Sequence, residues 1–186
     1  MNDEVRRIES EINALRRQLV EARKAAAAMP VRDYVLRSVD GAEVRLSGLF
    51  GNKPDLILVH NMGRKCPYCT LWADGFVGFA RHIGNRAGFA LCSADEPEVA
   101  REFAASRGWP YRVVSGHGSS FAHDMGFEPK PGEPWPGVST FRRAGDGSIT
   151  RIGAASFGPG DEFCSIWHML DLLRDGAAGW EPKYSY

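Results

Sequence analysis

The chain has no long apolar run. Nothing in its 186 residues approaches the roughly 18 to 20 consecutive apolar positions that cross a bilayer, so no membrane-spanning role is expected. Net charge is absent too, because 23 Lys plus Arg balance 23 Asp plus Glu. Nucleic acids and anionic membranes select a basic surface, so neither is expected as the main partner. Cysteine is scarce. The 4 cysteines, at positions 66, 69, 92 and 164, are too few and too unevenly spaced for a disulfide framework. The opening Met1-Asn2-Asp3-Glu4 is acidic where a secretory leader is basic, and no apolar run follows it. The cytoplasm is therefore the expected compartment. In a reducing compartment a close cysteine pair reads as redox-active or metal-binding, not as a crosslink.

What remains is an ordinary globular composition, 44% hydrophobic and 25% charged. The length suits one domain with an appendage. The appendage is residues 1–29, and the domain is 30–186. Val5, Ile8, Ile12, Leu15 and Leu19 recur at alternating spacings of 3 and 4, which predicts an amphipathic helix from residue 3 to about 28. Acidic residues at its start and basic ones near its end suit the helix dipole, and Pro30 stops it. The stripe has two readings: a helix laid across its own domain or a partner's, or a homodimeric coiled coil through residues 3–28.

Beyond Val31 the pattern alternates. Residues 34–39 and 43–46 flank Asp40-Gly41, a strong hairpin signal. Residues 55–60 form a short continuous apolar run, a strand buried on both faces. A helix is predicted over 67–83, a strand over 89–92, a helix over 97–106 and a strand over 111–114. A short helix is placed within 118–127, and the proline-rich stretch 128–137 reads as a loop. Residues 138–143 and 148–152 form a second hairpin, and 161–174 a last amphipathic helix carrying Phe163, Ile166, Trp167, Leu170 and Leu173. The aromatic tail, 180–186, is expected to dock. This order predicts an α/β thioredoxin-like domain, a central mixed sheet flanked by helices. The extra N-terminal β-hairpin matches the peroxiredoxin-like variant.

The chemistry centres on Cys66-Pro67-Tyr68-Cys69, placed between a buried strand and a helix. Unpaired amides and the dipole at a helix start favour a thiolate there. Arg64 and Lys65 precede it and can add positive charge, and Pro67 suits the first helical position. Cys69, 3 residues on, can share a face with Cys66 and close a disulfide. Cys66 is then the attacking thiol and Cys69 the resolving one. Two alternatives stand beside this: a pair of inert buried thiols, or a metal site built from both cysteines and histidines.

The string from His60 to Gly75, with Trp72-Ala73-Asp74, Gly108-Trp109 and Phe141-Arg142-Arg143, resembles a bacterial thioredoxin-like family. That family is a domain of unknown function, and its members are predicted dithiol–disulfide oxidoreductases. The likeness spans roughly residues 30 to 175. It implies a thioredoxin fold and a redox activity. Two departures from the superfamily are visible. No proline stands directly before Val138, where thioredoxins carry one, and Gly63 and Val59 occupy the places of the Thr/Ser and Pro of the peroxiredoxin peroxide motif.

Further residues are candidates for tuning the site. His60 ends the strand leading to Cys66, Tyr68 and Trp72 can rim the sulfurs, and Asp74 can accept a proton during resolution, although core, packing or capping roles serve as well. Cys92 and Cys164 read as small buried apolar residues. No cofactor or metal is expected. The expected partners are a protein or small-molecule disulfide and an electron donor. The other functional class is a non-catalytic binding protein that uses the same two cysteines in a metal site or partner surface.

Overall fold

The computed structural model describes residues 2–186. Helix α1 (Asp3–Ala25) is capped by Asn2, whose side chain accepts the Glu4 N–H at 2.9 Å. It ends at Ala25, before the residue 28 expected, because Met29–Val31 is drawn into a short strand, β1, at the sheet edge. The predicted hairpin is β2 (Val35–Ser38) and β3 (Glu43–Arg45), followed by a single 3-10 turn over Leu46–Leu49. Strand β4 (Asp55–Asn61) leads through a loop into α2 (Pro67–Phe76). Then come α3 (Ala80–Arg86), β5 (Gly88–Ser93), α4 (Pro97–Arg107), β6 (Arg112–Ser115) and the single turn α5 (Phe121–Asp124). Strands β7 (Gly137–Arg143) and β8 (Ile149–Ser156) make the second hairpin, and α6 (Ser165–Leu170) follows.

The strands form one mixed sheet in the order β1-β8-β7-β4-β5-β6-β2-β3. Strand β4 lies inside it, parallel to β5 and antiparallel to β7. Its apolar run is therefore covered above and below, as a continuous rather than alternating pattern requires. One face carries Leu56, Leu58, Ala90, Val114 and Phe141, closed by the 3-10 turn and by Phe121 of α5. The other carries Val59, Leu91, Val113 and Val138 under α2, α4 and α6. This is the predicted fold class, a mixed sheet flanked by helices. No helix among the described residues is long and apolar enough to cross a membrane.

Two helices are shorter than their periodicity suggests. The 67–83 helix breaks after Phe76. Two glycines, Gly75 and Gly78, weaken the ladder there, and the Val77 and Phe79 amides turn to the carbonyls of Asp74 and Phe76, three residues back. The last helix covers only 6 of the expected residues. Asp161, expected to begin it, instead folds a turn. Its carboxylate accepts the amides of Gly158, Phe163 and Cys164, the local competition that keeps Asp out of helix interiors. Leu172 and Leu173 lie past the C-terminal end of α6 and are exposed, at 80% and 58%. The aromatic tail makes contacts of its own. Trp180 packs edge-on against Trp167 at 5.8 Å, and the Tyr184 carbonyl accepts from Arg107 at 2.8 Å.

Candidate functional site: a cysteine pair at the start of a helix

Strand β4 carries the chain to Asn61, and the next five residues turn it onto α2. Asn61 organises that turn. Its side-chain oxygen accepts the Gly63 amide at 2.8 Å, and its nitrogen donates to the Cys69 carbonyl at 3.3 Å. The Asp95 carboxylate, just beyond β5, accepts the Arg64 amide at 2.6 Å. Gly63 has φ +95° and lies so close to Asp95 that a Cβ would collide with the carboxylate. Only glycine satisfies both the dihedral and the contact. Sequence reasoning missed Asn61, Gly63 and Asp95 as organisers of the loop. The Asn-Met-Gly turn and the Ser93-Ala94-Asp95 step before Pro97 were the available signals.

Cys66 is the N-cap of α2. Its Sγ accepts the Cys69 amide at 3.1 Å, and Pro67 occupies the first turn, where a missing N–H costs nothing. Cys66 is half-buried, Cys69 is buried, and both thiols are free. The Cys66 thiol is pulled down to about 6, chiefly by the hydrogen bond from the Cys69 S–H and then by the backbone amides of Cys69 and Tyr68, against the opposing effect of burial. The Cys69 thiol is pushed up because it donates to Cys66 and is desolvated. One sulfur is thus acidic at the expense of the other.

The remaining candidates fall differently. Arg64 and Lys65 are exposed, and neither is among the groups that hold the Cys66 thiolate. The expected contribution of their charge is replaced by S–H and amide donors. His60 is buried on the sheet face opposite α2, stacked on Phe127 at 4.0 Å and bonded through Nε2 to the Ser139 hydroxyl at 2.9 Å. Burial, reinforced by Arg151, lowers it to about 3, so it is a neutral core histidine and not a partner of the thiolate. Asp74 is bound by Arg107 and by the Trp109 indole N–H at 2.8 Å. Those donors occupy the carboxylate, in place of the expected role as a proton acceptor. Trp72 is buried helix-face packing, with its indole N–H 3.3 Å from Asp161. Tyr68 lies over Trp167, ring centroids 6.2 Å apart.

Cys92 is buried among apolar side chains, and desolvation pushes its thiol up to about 12. Cys164 caps α6 and is also raised by burial. Among the described residues, no group of three or more His, Cys, Asp and Glu side chains converges as metal ligands would. A cleft of about 410 Å³ opens at the carboxyl ends of β4 and β5, lined by His60, Cys92, Asp95, His117, Phe127 and Trp135 among others. It borders the cysteine loop at Met62 but does not include Cys66.

A mixed sheet with a Cys-x-x-Cys at the start of the helix after its inner strand defines a thioredoxin-fold protein. Within that class the chain belongs to the family described as bacterial protein of unknown function (DUF899), which matches residues 2–183. No curated protein matches it. Solved structures show the fold. The peroxidoxin BcpB of Mycobacterium tuberculosis is 24% identical over 69% of this chain and 84% of its own, with TM-score 0.57. Reduced Prx3 of Vibrio vulnificus, in complex with H2O2, is 14% identical over 73% and 90%, with TM-score 0.56. An uncharacterised conserved protein of Geobacillus kaustophilus is 14% identical over 86% of both chains, with TM-score 0.52.

Proposed function

We propose that the protein is a dithiol–disulfide oxidoreductase working through Cys66 and Cys69. The observation that carries this is the asymmetry of the pair: an acidic, half-exposed sulfur capped by an amide at 3.1 Å, backed by a buried thiol of raised pKa. A thiol with a pKa just below neutral is largely ionised yet still nucleophilic. The Cys66 thiolate attacks one sulfur of a substrate disulfide and displaces the other as a thiolate, which takes up a proton. Cys69 then loses its proton and attacks Cys66 Sγ, releasing the second substrate thiol. Two electrons have passed to the substrate, and the protein holds a Cys66–Cys69 disulfide that a dithiol donor must reduce.

Gly63 supports this reading over peroxide reduction. It stands where the peroxiredoxin pattern has a hydroxyl, and its contact with Asp95 leaves no room for a side chain. The test is reduction of insulin disulfides with dithiothreitol as donor. The wild-type chain should accelerate the reaction, Cys66→Ser should abolish the acceleration, and Cys69→Ser should accumulate a mixed disulfide on Cys66. If the wild type gives no acceleration and mass spectrometry finds no Cys66–Cys69 disulfide after oxidation, the assignment is wrong.

A further inference from the structure

Helix α1 is the only helix among the described residues that buries none of them. Its apolar stripe is bare: Val5, Ile8, Ile12, Leu15 and Leu19 are between 42% and 62% exposed. The sequence reading of a helix laid across its own domain is therefore not what the fold shows. Contact with the domain includes the second half of α1, where Arg16 Nε bonds Glu162 at 2.7 Å beside a shallow groove reaching Leu19, Val20 and Arg23. A 23-residue helix runs about 35 Å, so most of the stripe has nothing against it.

We propose that α1 pairs with α1 of a second copy as an antiparallel two-stranded coiled coil. The stripe is a heptad seam with Val5, Ile12 and Leu19 at a and Ile8, Leu15 and Ala22 at d. Reversing one helix sets Ile12 against Leu15 of the second copy, Ile8 against Leu19, and Val5 against the small Ala22. Six layers result, with no small residue facing another. The parallel arrangement would instead stack Ala22 on itself and leave a gap at one end.

Charge selects the same direction. The flanking e positions are Glu9, Arg16 and Arg23, and the g positions begin with Glu4, Glu11 and Gln18. In the antiparallel pair e flanks e, so Glu9 meets Arg16 of the second copy twice by symmetry, while Glu11 meets Gln18. No like charges oppose one another. In the parallel pair g flanks e of the next heptad, which sets Glu11 against Arg16 twice but also Glu4 against Glu9 twice, so repulsion offsets the attraction that the antiparallel pair keeps. Opposed helix dipoles favour the antiparallel direction as well. Arg16 uses Nε for its own Glu162 and has both Nη groups left to receive Glu9 of the second copy.

Sedimentation velocity of the full-length reduced protein tests this across a range of micromolar concentrations. The mass should move from monomer towards twice that value as concentration rises. The triple variant Ile8→Gln, Ile12→Gln, Leu15→Gln changes only exposed positions and should stay monomeric throughout, with the rate of Cys66 alkylation unchanged as the control for folding. Glu9→Arg should weaken the dimer about tenfold by turning two attractions into two repulsions. A wild type that never dimerises, or a dimer that survives the triple variant, overturns the proposal. A dimer tightened by Glu9→Arg overturns the antiparallel direction, because that change relieves the parallel Glu4–Glu9 clash.

Discussion

Gly63 lies directly against the Asp95 carboxylate, and the same carboxylate accepts the next amide along, that of Arg64, at 2.6 Å. The turn that presents Cys66 is therefore clamped to the end of a neighbouring strand. Gly63→Ala adds a methyl into Asp95 and imposes φ +95° on an L side chain. The expected cost is about 1 to 3 kcal/mol of stability, together with slower Cys66 alkylation at neutral pH. A thermal melt and an iodoacetamide time course check both.

The acidity of Cys66 rests first on the Cys69 S–H. Alkylation should rise with pH and be half-maximal near pH 6. Cys69→Ala removes the leading donor but leaves the backbone amides, and should move the midpoint up towards the ordinary thiol value of about 8.5. Arg64→Ala and Lys65→Ala should leave it in place. A midpoint that follows the two basic residues and ignores Cys69 would show the reverse order of causes.

The same thiol couples to folding. In the reduced protein Cys66 is ionised above about pH 6, whereas in the unfolded chain it holds its proton to higher pH. The unfolded state therefore binds more protons between those values, and stability rises with pH from about 6 towards 9. Above that window Cys69 acts in the opposite sense, because its raised pKa keeps a proton that the unfolded chain has lost. Denaturant melts over pH 6 to 10 should show the rise and then the fall. Cys66→Ala should remove the rise.

His60 contributes to the acid limb from its upper end, above the range where the lowered carboxylates Asp55 and Asp124 take up protons. Buried and neutral, it titrates near 3 when folded but near 6.5 when unfolded, so stability is lost as pH falls below about 6.5. One such group contributes at most about 1.4 kcal/mol per pH unit. His60→Phe should flatten this limb while leaving the Cys66 alkylation profile unchanged, since His60 lies on the sheet face opposite α2 and is not among the groups that act on the Cys66 thiol.

Asp74 is bound to Arg107 and to Trp109 Nε1. Asp74→Asn should cost roughly 2 kcal/mol through those lost charge-assisted bonds. Its effect on the rate of mixed-disulfide resolution should be small. A large resolution defect in a normally folded variant would restore Asp74 as a proton acceptor.

Elements with strong periodicity or punctuation are legible in the sequence: α1, the Asp40-Gly41 hairpin, β4, and α4 between Pro97 and Gly108. The differences from the sequence pattern have tertiary causes. Strand β1 has no signal of its own, being only 3 residues paired to the edge of β8. Asp161 looked like a helix start, but its carboxylate was satisfied by three amides of a turn. Around the site, Cys66 and Cys69 were legible because the motif is local in sequence. The sheet face of His60, the capture of Asp74 by Arg107 and the Asp95 clamp all depend on residues 31 or more positions away. Spacing along the chain does not encode those contacts.

Strand β4 is laced on both sides, to β5 from Leu56 through Asn61 and to β7 from Asp55 through His60. The launch point of Cys66 is anchored to two neighbours and cannot shift without tearing one of them. Closing a Cys66–Cys69 bond must therefore be accommodated from the helix side. The first turn of α2 would give up the amide that now caps the sulfur and lean with Tyr68 against Trp167. The indole there becomes a built-in optical reporter: intrinsic fluorescence is expected to differ between the dithiol and the disulfide, and the difference should vanish in Trp167→Phe, which keeps the other 4 of the 5 tryptophans.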